Sequence, residues 1–295
     1  MNQKKTKIIS YWILAGPPLI LFLSVILFPI LFSLIISLSN WSGSGSLQWV
    51  GLKNYIEIIH DRIFFHGLRN NLLIVAISVL GQIPLGFVLA YILYRKIVQR
   101  EKFFETMIFL PITISPVVIA ILWNQIFSTS GLYTSIIRKI SNNPRYVVSI
   151  FENQSLAIIP ILFVILWMYT GMYMVMYLAN LQKISPSILE AAEIDGASES
   201  QILLHIIFPF MQGVIMTTTI FAITGSLKSF DLIYAMTGGG PAHFTEVIAI
   251  YMYTNTFKYY KYGFGSAVSI IIVLLSVGLI FLLQILSRRL DRKYS

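Results

Sequence analysis

The sequence predicts an all-α integral membrane protein, one domain over residues 1–295 built from six transmembrane helices. Three observations lead there. Only 11% of the 295 residues are charged and the mean hydropathy is +0.78, whereas soluble domains carry about 25% charged residues. The apolar residues gather into six runs of 22 to 27 residues, each long enough to cross ~30 Å of hydrocarbon. None of the six contains Asp, Glu, Lys or Arg. Backbone polar groups in lipid must be satisfied within the segment, and the runs are too long for barrel strands of about 9 to 11 residues, so they are helices.

The first run, 11–37, follows Lys4, Lys5 and Lys7. A basic start can mark a cleavable signal, but this run far exceeds an apolar core of about 7 to 15 residues and no small-x-small cleavage site follows Pro17 and Pro18, so it is read as a retained span. The next runs are 71–94, 106–127, 157–180, 203–226 and 266–287, each taken as one continuous helix. Two shorter stretches, 54–59 and 245–257, read as helices lying at the surface because neither can span. Thr237 to Pro241, TGGGP, reads as a turn: glycine permits positive φ and proline stops regular structure. Gly263 and Gly265 read as close-packing or hinge positions.

Orientation follows from the basic residues. The loops 1–10, 95–105, 181–202 and 288–295 hold 12 Lys and Arg in 51 residues, against 9 in 101 for the other set. The positive-inside rule then puts both termini in the cytoplasm of a multi-pass plasma-membrane protein. The net charge of +9 suits contact with anionic membrane lipid rather than nucleic acid.

Several chemistries are excluded. Without cysteine there are no thiolate metal sites or thiol nucleophiles. The four histidines, His60, His66, His205 and His243, show no metal-ligand spacing. No G-x-x-x-x-G-K-[ST] loop is present to hold nucleotide phosphates, and no G-x-S-x-G or H-E-x-x-H motif suggests hydrolysis. The chain reads as a non-enzyme with no metal or cofactor of its own. Proton-coupled transport is disfavoured because no carboxylate sits at depth in a span.

The cytoplasmic segment from Leu181 to Pro209 reads as a helix–turn–helix bracket. Ser185 can cap a helix opening at Pro186, with Ser187 and Glu190 as an alternative capping box; Gly196 is placed to end it, and Ser198 with Gln201 forms a box that starts the next helix. Glu190, Glu193, Asp195 and Glu199 are unexpected where the positive-inside rule favours Lys and Arg. A solvated amphipathic connector with acids near helix N-termini is one account of them.

EAAEIDGA at Glu190 to Ala197, followed by Ile206, Phe208 and Pro209, closely resembles the EAA loop of ABC importer permeases, with Phe208 where that pattern has leucine. YLANLQKISPSILE upstream, KSFDLIYAMTGGGPAHFTEVIAIYMY downstream and VGLKNY near the start are similar to the maltose-type carbohydrate branch. The resemblance implies a MetI-like type I importer permease fold and an ATP-driven alternating-access translocator for a sugar or oligosaccharide. It further implies a second homologous permease as heterodimer partner, ATPase subunits that bind ATP and Mg, and an extracytoplasmic solute-binding protein. The bracket becomes a coupling helix carried by Glu190, Ala191, Ala192, Asp195, Gly196 and Ala197. Substrate-lining candidates are Trp167, Tyr169, Thr170, Tyr173, Thr217 and Thr218, with Trp123, Asn124, Gln125 and Thr219 behind them, since sugars need hydrogen-bond partners for hydroxyls and aromatic faces for C–H edges. An ATP-independent channel or facilitator is the competing class, for which the charge-free spans serve equally well.

Overall fold

The computed structural model describes residues 3–143, 145, 147 and 149–294. The expected cytoplasmic termini include Met1, Asn2 and Ser295, which lie outside the described residues. All regular structure among the described residues is helical. Among the described residues five helices are long and apolar enough to cross a membrane: Tyr11–Ser37, Arg62–Tyr94, Ile158–Leu181, Glu199–Thr237 and Tyr262–Ile285; they are spans one, two, four, five and six.

The third expected span is not continuous. Glu101–Thr113 and a following segment that opens at Pro116 meet at an angle of 94°. Proline lacks an amide donor and drives the residue before it out of the helical region, and Ser115 accordingly takes φ −53° and ψ 131°. Prolines also explain the wide turns inside three other spans. Leu23–Leu27, Ser78–Gln82 and Leu203–Ile207 are π-helical turns, each lying just before Pro29, Pro84 or Pro209. The carbonyl four residues before each proline, which its ring would strike, falls inside the widened turn.

The chain forms two compact units. The smaller contains the chain through Asp61 together with Tyr251–Leu274. Within it, helix Lys53–His60 is anchored by Asn54, whose side-chain amide donates to the Ser37 carbonyl at 2.8 Å and the Ser39 carbonyl at 2.9 Å. Gly263 has no room for a side chain, since a Cβ there would lie 1.9 Å from the Ser39 carbonyl oxygen. Close packing, of the two roles expected for it, is the one it fills.

The larger unit contains Arg62–Ile250 and the chain from Leu275. Span four is its hub, buried along more of its length than span two. Glycines set how closely its neighbours approach: a Cβ on Gly171 would fall 2.3 Å from the Ile108 carbonyl oxygen, and one on Gly86 2.8 Å from the Cβ of Tyr173. Such small residues let helix backbones touch. One core gathers Ala90, Leu93, Tyr177, Leu181, Leu189 and Ile202; a second, farther along the same helices, gathers Ile74, Ile161, Met168, Ile233 and Ile250.

The stretch expected to lie at the surface over 245–257 is instead sunk into the unit in its first part. Val247, Ile248 and Ile250 are at most 1% exposed. Two asparagines of span two receive it. Asn70 donates to the Glu246 carbonyl at 2.8 Å, and Asn71 accepts the Ile248 amide at 2.9 Å while donating to the Ser226 carbonyl at 2.7 Å. These bonds satisfy backbone that short helices and turns leave unpaired, which is what lets an apolar run too short to span be buried. The TGGGP segment is a turn as expected, with Gly238 at φ 62° and Gly239 at φ 85°.

Candidate functional site

The bracket between spans four and five is two capped helices, as its sequence predicts, with one change at the start. Its first arm is Pro186–Ile194. Ser185 stands at the cap position without a side-chain bond to a backbone amide of the helix, and its hydroxyl pairs with that of Ser187 at 2.8 Å. Neither serine therefore makes the cap expected of it, and proline at the first position reduces the need, having no amide to satisfy. The turn is as expected. Gly196 takes φ +81°, its amide donates to the Glu193 carbonyl at 3.1 Å, and the Ala197 amide donates to the Ala192 carbonyl at 2.9 Å. This pair of bonds is a Schellman ending, and the left-handed residue it requires is where glycine sits. The second arm opens with the expected box: the Ser198 amide donates to Gln201 Oε1 at 2.7 Å and the Gln201 amide to Ser198 Oγ at 3.4 Å.

The first arm has two apolar faces. Leu189, 6% exposed, and half-buried Ala192 face the core with Ile202. Ile188 and Ile194 are 50% and 85% exposed, and Ala191 lies on the same side one turn from each. Glu190 and Asp195 are also exposed. Of the four acids, Glu193 and Glu199 are the ones with a cation among the described residues: Arg95 Nη2, just past span two, donates to both, at 2.9 and 2.8 Å. Hydrogen bonding to Glu193 foremost, with Glu199 adding to it, raises the Arg95 pKa against the opposing effect of partial burial. The Tyr91 hydroxyl donates to the other oxygen of Glu199.

Farther along the larger unit, a partly open cavity of about 270 Å³ lies among spans two, four and five. Of the substrate candidates, the structure brings two to it, Tyr169 and Tyr173, a turn apart on span four. Neither phenol makes a hydrogen bond among the described residues, and Tyr173 is only 3% exposed. The others lie elsewhere. The Trp167 ring, 41% exposed, meets Trp123 edge to face at 5.5 Å. Thr170 is buried and donates to the Leu166 carbonyl. Thr217 is exposed and donates to the Gly213 carbonyl, and Thr219 to that of Ile215. Thr218 is fully buried and meets the Tyr177 hydroxyl at 2.6 Å. Asn124 donates to the Met236 carbonyl, and Gln125 is exposed.

The cavity also contains residues that the sequence reading missed: Ser78 and Gln82 of span two and the Lys228 to Asp231 stretch. Gln82 donates to the Ile165 carbonyl at 2.7 Å, tying spans two and four beside the cavity. The available signal was the polar KSFD inside an otherwise apolar sequence.

Residues 82–295 match the family of binding-protein-dependent transport system inner membrane components. The chain belongs to that family. It is thus an ABC transporter permease, the membrane component of such a system. The probable ABC transporter permease protein YurN of Bacillus subtilis is 33% identical over 282 residues, 95% of each chain. The lactose transport system permease protein LacF of Rhizobium radiobacter is 32% identical, over 93% of this permease and 92% of that one. A solved bacterial ABC transporter that imports the acidic polysaccharide alginate has a chain of the same fold, with a TM-score of 0.82 at 21% identity over 98% of this permease and 99% of that chain. The bracket of this permease, residues 185–202, falls inside the matched family region.

Proposed function

We propose that this permease, acting as one transmembrane domain with both termini in the cytoplasm, pairs with a second, homologous permease to carry a sugar or oligosaccharide inward by alternating access. Energy comes from ATPase subunits, which bind ATP and Mg, and cargo from an extracytoplasmic binding protein. The observation that carries the coupling is the outer face of the bracket. Ile188, Ala191 and Ile194 form a small apolar surface on a helix capped at its turn, and exposed apolar residues rimmed by acids suit a groove on a partner. Glu190, Ala191, Ala192, Asp195, Gly196 and Ala197 form the coupling element. Closing of the ATPase pair on nucleotide pushes the bracket, and its packing against Leu93, Leu181 and Ile202 passes the displacement to spans two, four and five.

Support for a sugar cargo comes from the lactose permease relative and from the cavity, where phenol hydroxyls stand beside aromatic faces. Hydroxyl-rich ligands need such donors and acceptors, and their C–H faces pack on rings. Transport in vesicles reconstituted with both permeases, the ATPase and the binding protein tests the reading. A panel of labelled mono- and oligosaccharides should include one whose uptake requires ATP and stops with vanadate. Uptake indifferent to ATP and vanadate would show a facilitator instead.

A further inference from the structure

The geometry points to Arg95 as a positioning residue that locks both arms of the bracket to the end of span two, so that the arms and the span move as one body. The inference rests on the coupling role proposed above for the bracket. Glu193 lies on the last turn of the first arm and Glu199 opens the second. Between them is the Gly196 turn, the most pliable link in the element because glycine has the widest backbone freedom. One guanidinium nitrogen reaches both carboxylates, at 2.9 and 2.8 Å. It thus bridges the turn from outside. Without the cation, two carboxylates would face each other across the turn and favour its opening.

Arg95 is itself held in place. Span two ends in the same kind of cap as the first arm: the Lys96 amide donates to the Leu93 carbonyl at 3.2 Å and the Ile97 amide to the Ile92 carbonyl at 3.1 Å. Lys96 takes φ 51° to make that ending, a conformation that residues with a Cβ disfavour. Tyr91, one turn before Arg95 on the same helix, holds Glu199 by its second oxygen. Apolar packing already seats the first arm through Leu189. What the charges add is a fixed angle between the arms. Pairs this exposed, with the Arg95 side chain 23% and the carboxylates 50% and 51% accessible, contribute little to folding, so their effect is expected in coupling and not in stability.

The test uses the reconstituted complex with its loaded binding protein and reads sugar transported per ATP hydrolysed, a ratio that loss of protein through misfolding does not change. Arg95→Met, which keeps length and removes charge, should lower the ratio about three- to tenfold, the scale of two partly exposed pairs lost together. Arg95→Lys should keep at least about half of it, since an ammonium can still meet both carboxylates. A second measurement reads the geometry directly and stands apart from transport. The chain has no cysteine, so Gln99→Cys with Ser200→Cys, spin-labelled on the purified permease before assembly, places one label pair across the lock. One narrow distance distribution is expected with and without ATP and vanadate, broadening in Arg95→Met. An unchanged ratio in Arg95→Met, or an unchanged distribution, overturns the proposal. Where unsubstituted complex shows no ATP-driven uptake, the transport reading fails while the label distances still decide whether Arg95 fixes the bracket.

Discussion

Replacing Gly196 isolates the turn of the bracket from everything around it. The residue has φ +81°, and a Cβ built there meets nothing within 4 Å. The cost of a side chain within this chain is therefore backbone strain alone. For an L residue the left-handed region costs about 1–2 kcal/mol, with β-branched residues at the upper end and asparagine tolerated best. At about 1.4 kcal/mol per factor of ten, Gly196→Val should lower the ratio of formed to open turn about tenfold, Gly196→Ala somewhat less and Gly196→Asn least. In vesicles carrying the whole transporter, sugar transported per ATP should fall in the order Asn, Ala, Val. Amounts of inserted permease should stay equal, because Gly196 itself belongs to neither apolar core. If Gly196→Val transported as much sugar per ATP as the unsubstituted protein, the bracket could not be the element that transmits force. If Gly196→Asn were as damaging as Gly196→Val, strain would not be the cause, and crowding by a neighbour at the empty position would be.

Three further substitutions test packing and the cavity. Thr218→Val removes the partner of the Tyr177 hydroxyl, at 2.6 Å between two residues with 0% exposure; an unmet buried hydroxyl costs about 1–3 kcal/mol, which should appear as a drop of several degrees in unfolding temperature in detergent, with Thr218→Ser near normal. Gly171→Ala places a methyl 2.3 Å from the Ile108 carbonyl oxygen and should destabilise by about 1–3 kcal/mol through forced separation of helices, seen in the same melting assay, whereas Gly213→Ala, with open space around it, should melt as the original does. Tyr173→Phe removes a cavity phenol that has no partner among the described residues, so it should raise the KM for sugar about two- to tenfold and leave the melting temperature unaltered.

The spans were legible because burial in lipid forbids charge, and runs free of Asp, Glu, Lys and Arg state that directly. The break at Ser115 was not, since average hydropathy does not register the backbone angles that Pro116 imposes. Val247 to Ile250 were misplaced for a related reason: their burial depends on Asn70 and Asn71, 176 and 177 positions away in the hydrogen bonds they make. In the bracket the turn and second cap could be read, because caps are local in sequence. The lock at Arg95 could not, as its partners stand 98 and 104 positions off. The cavity shows the same division. Tyr169 and Tyr173, four residues apart, share a helix face; Trp167 and Thr170 lie two and one positions from Tyr169, and a helix turns those side chains about 200° and 100° away from it.

The coupling claim is tested most directly by photocrosslinking in the assembled transporter. A photoreactive residue at Ile194, the most exposed apolar position of the bracket at 85%, should join this permease to the ATPase subunit, while one at Leu189, turned into the core, should react within its own chain. Adducts of position 194 with lipid or with this chain alone, and none with the ATPase, would contradict the account.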